Sequence, residues 1–230
     1  MISALILCGG KATRIKSISL NTPKSLIKID SKPIIFHQLK YLEKYKIPKV
    51  VICLGHKGQM IKKYVASQKF KMKIYFSYDG QNLLGTGGAV KKALKLLEDN
   101  FFVLYGDSYL RANLNIIQNY FSKYKKKGLM TIYKNKNKYD KSNVIMKDNK
   151  FFYDKNFNNK NLNFNYIDYG INILTKKAFS NFIKKNNFDL SEIFSLLSNK
   201  EDLVYKVVYK RFYEVGSFKG IADLRKFLKN

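Results

Sequence analysis

The 230-residue chain has no Trp, three Pro, two His, two Cys and four Arg. Cys8 and Cys53 each sit inside an apolar segment. That placement reads as two buried thiols in a reducing compartment, not as a disulfide framework. Neither Cys nor His recurs at metal-ligand spacing, and His37 and His56 are assigned to packing or surface roles. No run of 18 apolar residues occurs, so no membrane-spanning helix is expected. The opening MISALILCGGKATR carries no cationic stretch ahead of its apolar run. It reads as a buried strand entering a loop, not as a secretory leader, and the expected location is cytoplasmic.

Acidic residues are also scarce: 16 Asp and Glu face 44 Lys and Arg, for a formal charge of +28. Such a charge raises nucleic-acid binding as a first hypothesis. Base and phosphate readers, however, favour the bidentate guanidinium, and 40 of the cations are Lys, spread through almost every segment. The excess reads as a codon bias that leaves a solvated basic surface, with a polyanion-binding surface as the alternative. Either would draw phosphorylated substrates by its field. No specific nucleic-acid partner is expected, and a gel shift that survives physiological salt would reverse that view.

Hydrophobic residues make up 46% of the chain and aromatics 15%, which is enough for a substantial packed core. In the first half, apolar runs at 2–8, 49–54, 72–77 and 101–104 read as buried strands. Segments with helical spacing at 33–45, 58–67 and 86–97 lie between them. This alternation predicts a Rossmann-like, three-layer α/β fold, with a mixed, mostly parallel sheet and helices on both faces. The second half offers short strands at 129–133, 143–146, 150–153 and 167–174, with Asp148-Asn149 as a hairpin turn. Helices follow near 176–185 and 190–198, then extended segments at 203–208 and 212–215 and a closing helix at 217–228. No Pro- or Ser-rich linker divides the chain. One continuous domain is expected over 1–230, as a nucleotide-binding half (1–112) and a second half (113–230).

The chemistry concentrates in Leu7-Cys8-Gly9-Gly10-Lys11-Ala12-Thr13-Arg14, followed by Thr22-Pro23-Lys24-Ser25-Leu26. Two glycines directly after a buried strand let backbone amides approach phosphate oxygens, and Arg14 and Lys24 bracket the loop with cations. A plain glycine turn flanked by solvated charges remains open. The spacing is neither that of a P-loop nor that of a dinucleotide fingerprint. Asp107 follows a buried strand, where ligands of open α/β sheets bind, and serves either as a metal ligand or as a turn cap. Gly85, Gly87 and Gly88 precede a helix whose unpaired amides suit a polar or anionic ligand, or else form a structural loop.

The pattern G-G-x-x-T-R followed by P-K-S-L resembles the signature loop of the sugar-1-phosphate nucleotidyltransferases. Further motifs follow in that family's order along nearly the whole chain. Leu84-Gly85-Thr86-Gly87-Gly88-Ala89 is similar to the segment beside the base and the sugar. Tyr105-Gly106-Asp107-Ser108 resembles the strand end that holds magnesium, and Asp154-Lys155 the pair at the sugar phosphate. Tyr169-Gly170-Ile171 looks like the strand at the sugar, and Tyr213-Glu214-Val215-Gly216-Ser217 like the segment carrying a second metal carboxylate. Two departures stand out. Ala12 replaces a usual Gly, and Glu214 replaces a usual Asp with a side chain about 1.5 Å longer.

The resemblance implies a GT-A-like nucleotidyltransferase fold and Mg2+-dependent condensation of a nucleoside triphosphate with a sugar 1-phosphate, releasing pyrophosphate. Arg14 and Lys24 are then catalytic; Leu7, Gly9, Gly10, Thr13, Gly85 and Thr86 bind nucleotide. Gly87, Gly88, Asp154, Lys155, Tyr169 and Gly170 bind the sugar phosphate, and Asp107 and Glu214 bind the metal. Within the family the chain looks most like guanylyltransferases acting on manno-configured heptose or mannose phosphates. UTP-, dTTP- or CTP-dependent transfer, including to a phosphocholine-like acceptor, is the alternative. A catalytically silent nucleotide-sugar sensor is a second.

Overall fold

The computed structural model describes residues 1–10, 22–147, 150–155 and 164–229. The chain opens with β1 (Ser3–Leu7), and a 3-10 turn stands at Lys24–Leu26. A small hairpin follows, β2 (Lys28–Ile29) with β3 (Lys32–Pro33), and leads into α1 (Ile34–Lys44). Next come β4 (Lys49–Leu54), α2 (Gly58–Ala66), β5 (Lys73–Tyr78), α3 (Gly85–Ala93) and β6 (Asn100–Tyr105). After the two-residue β7 (Ser108–Tyr109) and α4 (Leu114–Phe121), the chain forms β8 (Gly128–Lys134), β9 (Val144–Lys147), β10 (Lys150–Tyr153) and β11 (Tyr166–Thr175). It ends with α5 (Leu190–Asn199), β12 (Leu203–Val207), β13 (Tyr213–Glu214) and α6 (Phe218–Lys229).

One sheet runs in the order β10-β9-β11-β6-β1-β4-β5, with β8 branching from β11 and β12 pairing on β8. The first-half strands β6, β1, β4 and β5 are parallel throughout. β11 runs antiparallel to β6 and so joins the second-half strands to the first. Strand periodicity explains the layers, because successive side chains face opposite sides. Ala4, Ile6, Val50, Ile52, Leu54, Phe102 and Leu104 pack beneath α1, α2 and α4. Leu5, Val51, Cys53, Phe101 and Val103 pack against α3 and α5. A third cluster joins Ile27, Ile29 and Ile34 to Tyr213, Val215, Ile221 and Leu224, and so seats α6 beside the hairpin.

Most of the expected elements are present within a residue or two. The helix expected near 176–185 is instead a 3-10 segment, Lys176–Phe182, that buries Ala178, Phe179 and Phe182. The expected hairpin at 143–153 is the β9–β10 pair, and its Asp148-Asn149 turn lies outside the described residues. Both cysteines are buried and free. No helix among the described residues is long and apolar enough to cross a membrane.

The strand order places β1 at the centre: the chain moves outward through β4 and β5, then returns to the other side of β1 for β6. A reversal of this kind leaves a crevice at the carboxyl ends of the two flanking strands. Here those ends are Leu7 and Tyr105, and the segments that follow them carry Gly9, Gly10 and Asp107.

Candidate active site

A cleft of about 260 Å³ opens at that reversal, with walls that include Gly9, Gly10, Lys24, Asp79, Thr86 and Asp107. Among the described residues, nothing lies within 4 Å of where a side-chain carbon on Gly10 would stand. Pro23 fixes entry into the 3-10 turn, where Leu26 N–H donates to the Pro23 carbonyl at 2.9 Å, and this turn presents Lys24. Its ammonium lies 3.3 Å from Asp107 Oδ2, across 83 residues of sequence.

Asp107 is held through its neighbours. Gly106 N–H donates to the Leu7 carbonyl at 3.0 Å, and a side chain at Gly106 would meet that oxygen at 2.4 Å. Only glycine permits so close an approach. Val215 N–H donates to the Asp107 carbonyl at 2.8 Å, and β13 pairs with β7 through Tyr213–Tyr109 and Glu214–Ser108. Buried Gln38 on α1 closes the turn, its Nε2 donating to the carbonyls of Tyr105 (2.7 Å) and Ser108 (2.8 Å). Sequence reading passed over Gln38. The sole signal was a polar residue among the apolar positions of α1.

Glu214 departs from expectation. Its backbone neighbours Asp107, but its carboxylate folds back to accept from Gly216 N–H and the Ser217 hydroxyl, just before α6. It borders a small separate cavity with Arg211 and Lys219, not the cleft. The orphan donors before a helix attract a carboxylate, and the extra methylene of Glu lets it reach them. Among the described residues no group of three or more His, Cys, Asp or Glu side chains is arranged to hold a metal.

The glycines in the first turn of α3 also differ from expectation. The N–H groups of Gly87 and Gly88 both donate to the Phe188 carbonyl (2.9 and 3.2 Å), so neither amide is free for a ligand. Gly85, at φ +71°, and Thr86 do line the cleft. The glycines let the start of α3 press against the segment entering α5: a methyl on Gly88 would lie 2.2 Å from the Asn186 carbonyl oxygen. The obstacle is backbone, which yields poorly. Gly88→Ala is therefore expected to destabilise the fold by about 1–3 kcal/mol, as overpacked positions typically do. A thermal melt checks this, and an unchanged midpoint would show that the 186–188 segment moves aside freely.

Asp189 caps α5 in a reciprocal arrangement with Glu192. It also accepts from the Thr86 hydroxyl at 3.2 Å, and Lys155 Nζ lies 3.2 Å from its other oxygen. Lys155 is thus brought to the cleft rim by a residue that sequence reading did not single out. Asp154 precedes it, its N–H donating to the Asn143 carbonyl at 3.0 Å.

On β11 the alternation decides which residues face the cleft side. Tyr169 points into the opposite core, where its hydroxyl accepts from Arg111 N–H at 2.9 Å and its ring meets Phe212, so the expected sugar contact from its side chain is corrected. Asp168 faces the other way, toward Tyr105. The Tyr105 hydroxyl donates to Asp168 at 2.9 Å, and so do Gly170 N–H at 2.9 Å and the Asn172 side-chain amide at 3.0 Å. Burial pushes the Asp168 carboxyl above its ordinary pKa, and these hydrogen bonds oppose the shift. Cys8, against the cleft floor, is pushed up to about 12 by burial and so stays a thiol at neutral pH. Thr13 and Arg14 lie outside the described residues.

The fold is thus an open α/β sheet, parallel in its first half, with a cleft at its strand reversal. The chain matches the Nucleotidyl transferase family over residues 3–230, and it belongs to that family. It is 32% identical over 195 residues to D-glycero-alpha-D-manno-heptose 1-phosphate guanylyltransferase of Campylobacter jejuni, covering 83% of this chain and 84% of the relative. An enzyme of the same name from Aneurinibacillus thermoaerophilus is 36% identical over 114 residues, 49% of each chain. The fold also matches HddC from Yersinia pseudotuberculosis, solved with GMP-PN, with a TM-score of 0.79, 22% identity, and coverage of 99% of this chain and 100% of that one.

Proposed function

We propose that this enzyme transfers a guanylyl group from GTP to a manno-configured sugar 1-phosphate, a heptose 1-phosphate foremost, and releases pyrophosphate. Support for the substrates comes from the named activities of the Campylobacter and Aneurinibacillus relatives. In the site, the observation that carries the reading is the Lys24–Asp107 pair beside the Gly9-Gly10 loop.

In this reading an oxygen of the sugar phosphate attacks the α-phosphorus of GTP. The new P–O bond forms as the bond to the β-phosphate oxygen breaks, and pyrophosphate leaves with that electron pair. The nucleophile is already anionic, so positioning and charge neutralisation supply the catalysis. Gly9 and Gly10 allow the phosphates to lie against backbone. Lys24 neutralises charge gathering around the α-phosphorus. Lys155, steered to the rim by Asp189, holds the sugar phosphate.

The residues present fit Mg2+, which takes one or two carboxylates and completes its shell with water and substrate phosphates. Asp107, a partly exposed carboxylate already drawing a cation, would hold it. When bound, the ion supplies Lewis-acid polarisation of phosphate oxygens. Glu214 would join only by releasing Gly216 N–H and the Ser217 hydroxyl.

The test is to incubate the protein and MgCl2 with each nucleoside triphosphate against a panel of sugar 1-phosphates and to follow pyrophosphate. The expected result is release with GTP and a manno-configured heptose or hexose phosphate. Release confined to UTP, dTTP or CTP would overturn the assignment of the base.

A further inference from the structure

Lys24 and Asp107 come from segments 83 residues apart, and one helix is tied to both. At its start, α1 meets the segment that carries Lys24: Ile34 N–H donates to the Ile27 carbonyl at 3.1 Å, and His37 Nε2 lies 3.0 Å from the Ile29 carbonyl. About one turn further along, Gln38 Nε2 donates to the carbonyls of Tyr105 and Ser108, the residues that bracket Gly106 and Asp107. Tyr41 adds another tie, its hydroxyl donating to the Ala112 carbonyl at 2.6 Å, and the rings of His37 and Tyr109 meet edge to face. Of the hydrogen bonds that α1 makes here, those of Gln38 fall on the Asp107 turn itself. Among the described residues, Lys24 is the one partner of the Asp107 carboxylate, so where that carboxylate stands follows from the backbone beneath it.

The amide suits this task. Its one nitrogen carries two N–H donors, and with both reaching main-chain oxygens a single atom sets the separation of the two ends of the turn. Gln38 is 3% exposed and stands on α1 among the buried Ile34, Ile35, Leu39 and Leu42. Among the described residues no donor reaches its Oε1. A buried polar atom in that state is costly, so packing alone would favour an apolar residue at this position. A polar side chain kept there points to work done on the turn.

We propose that Gln38 is a positioning residue for the transfer reaction. It is not among the walls of the cleft, and it acts through Asp107. By clamping the turn 105–108 from α1, it sets the Asp107 carboxylate at the distance from Lys24 at which both side chains act on one triphosphate. The inference rests on the transferase reading above and adds to it the group that keeps its charged pair in register. Removing an outer-shell partner of this kind costs about 10- to 100-fold.

The test compares the unaltered protein, Gln38→Met, Asp107→Asn and the double variant. Methionine keeps most of the side chain's length and has no donor. Pyrophosphate release is followed with MgCl2 and the triphosphate and sugar phosphate that the unaltered protein turns over fastest. Gln38→Met alone is expected to lower kcat about 10- to 100-fold with KM little changed, and to add little to the loss already caused by Asp107→Asn. Equilibrium binding of the same triphosphate gives a reading without turnover. The gain in affinity on adding Mg2+ should shrink in Gln38→Met and, where Asp107→Asn has removed it, shrink no further. Equal losses with and without the Asp107 carboxylate overturn the proposal, because a general loosening of the fold acts in both backgrounds. So does a kcat for Gln38→Met close to that of the unaltered protein. If Gln38→Met does not fold, Gln38→Asn, which keeps the amide and shortens its reach, takes its place. If neither folds, Gln38 serves the fold and the proposal falls. An unaltered protein that releases no pyrophosphate from any pair defeats the transferase reading, and this inference with it. Failure of the comparison in an active protein defeats the role of Gln38 alone.

Discussion

Asp107→Asn is expected to lower turnover by about 10²–10³ while leaving a folded protein, the loss typical when one preorganised electrostatic contact is removed. The fold does not depend on the carboxylate. The Asp107 turn is held by the Leu7 carbonyl, Val215 N–H and the two bonds from Gln38, all made to main chain. The side-chain pair with Lys24 is partly exposed, and pairs of that kind contribute about 0–1 kcal/mol. The amide keeps the shape and removes the charge that would draw a cation to the phosphates. Pyrophosphate release at saturating substrates, with a thermal melt alongside, checks both halves. Near-normal turnover would remove Asp107 from the mechanism.

Lys24→Met is expected to produce a loss of similar size, about 10²–10³ in turnover, for a different reason. Methionine keeps much of the apolar stem and deletes only the ammonium. The two single changes and their combination are then informative as a set. If Lys24 and Asp107 act on the same phosphates, Lys24→Met and Asp107→Asn together should cost little more than the worse single change, because members of one unit are strongly non-additive. Fully multiplicative losses would show that the two groups serve separate steps and that their 3.3 Å approach is incidental.

The parts of the site visible in the sequence are those that depend on local order. Gly9-Gly10 after an apolar run and Asp107 after another were legible because a buried parallel strand and the turn that ends it are contiguous in the chain. The same holds for the sheet layers, written in alternating residues such as Leu5 and Ile6. What escaped was long-range polar pairing. Gln38 reaches a turn 67 to 70 residues away, and Asp189 meets Thr86 across 103 residues. Direction was the other failure. The motif at 169–171 was legible, yet the side to which its residues point depended on the strand's register. Tyr169 fell on the far side. Glu214 shows the same weakness at a single rotamer: its backbone position was foreseeable from β13, and the pull of nearby N–H and hydroxyl donors was not.

The junction between α3 and α5 has a practical consequence. Leu84, Gly87 and Gly88 exchange hydrogen bonds with Phe188, while Thr86 does so with Asp189 and Leu190. The start of α3 and the entrance to α5 are therefore bonded into a single edge of the cleft. Any redesign that reshapes the entrance to α5 is expected to shift the start of α3 with it, and changes meant to spare that helix should begin elsewhere along the rim.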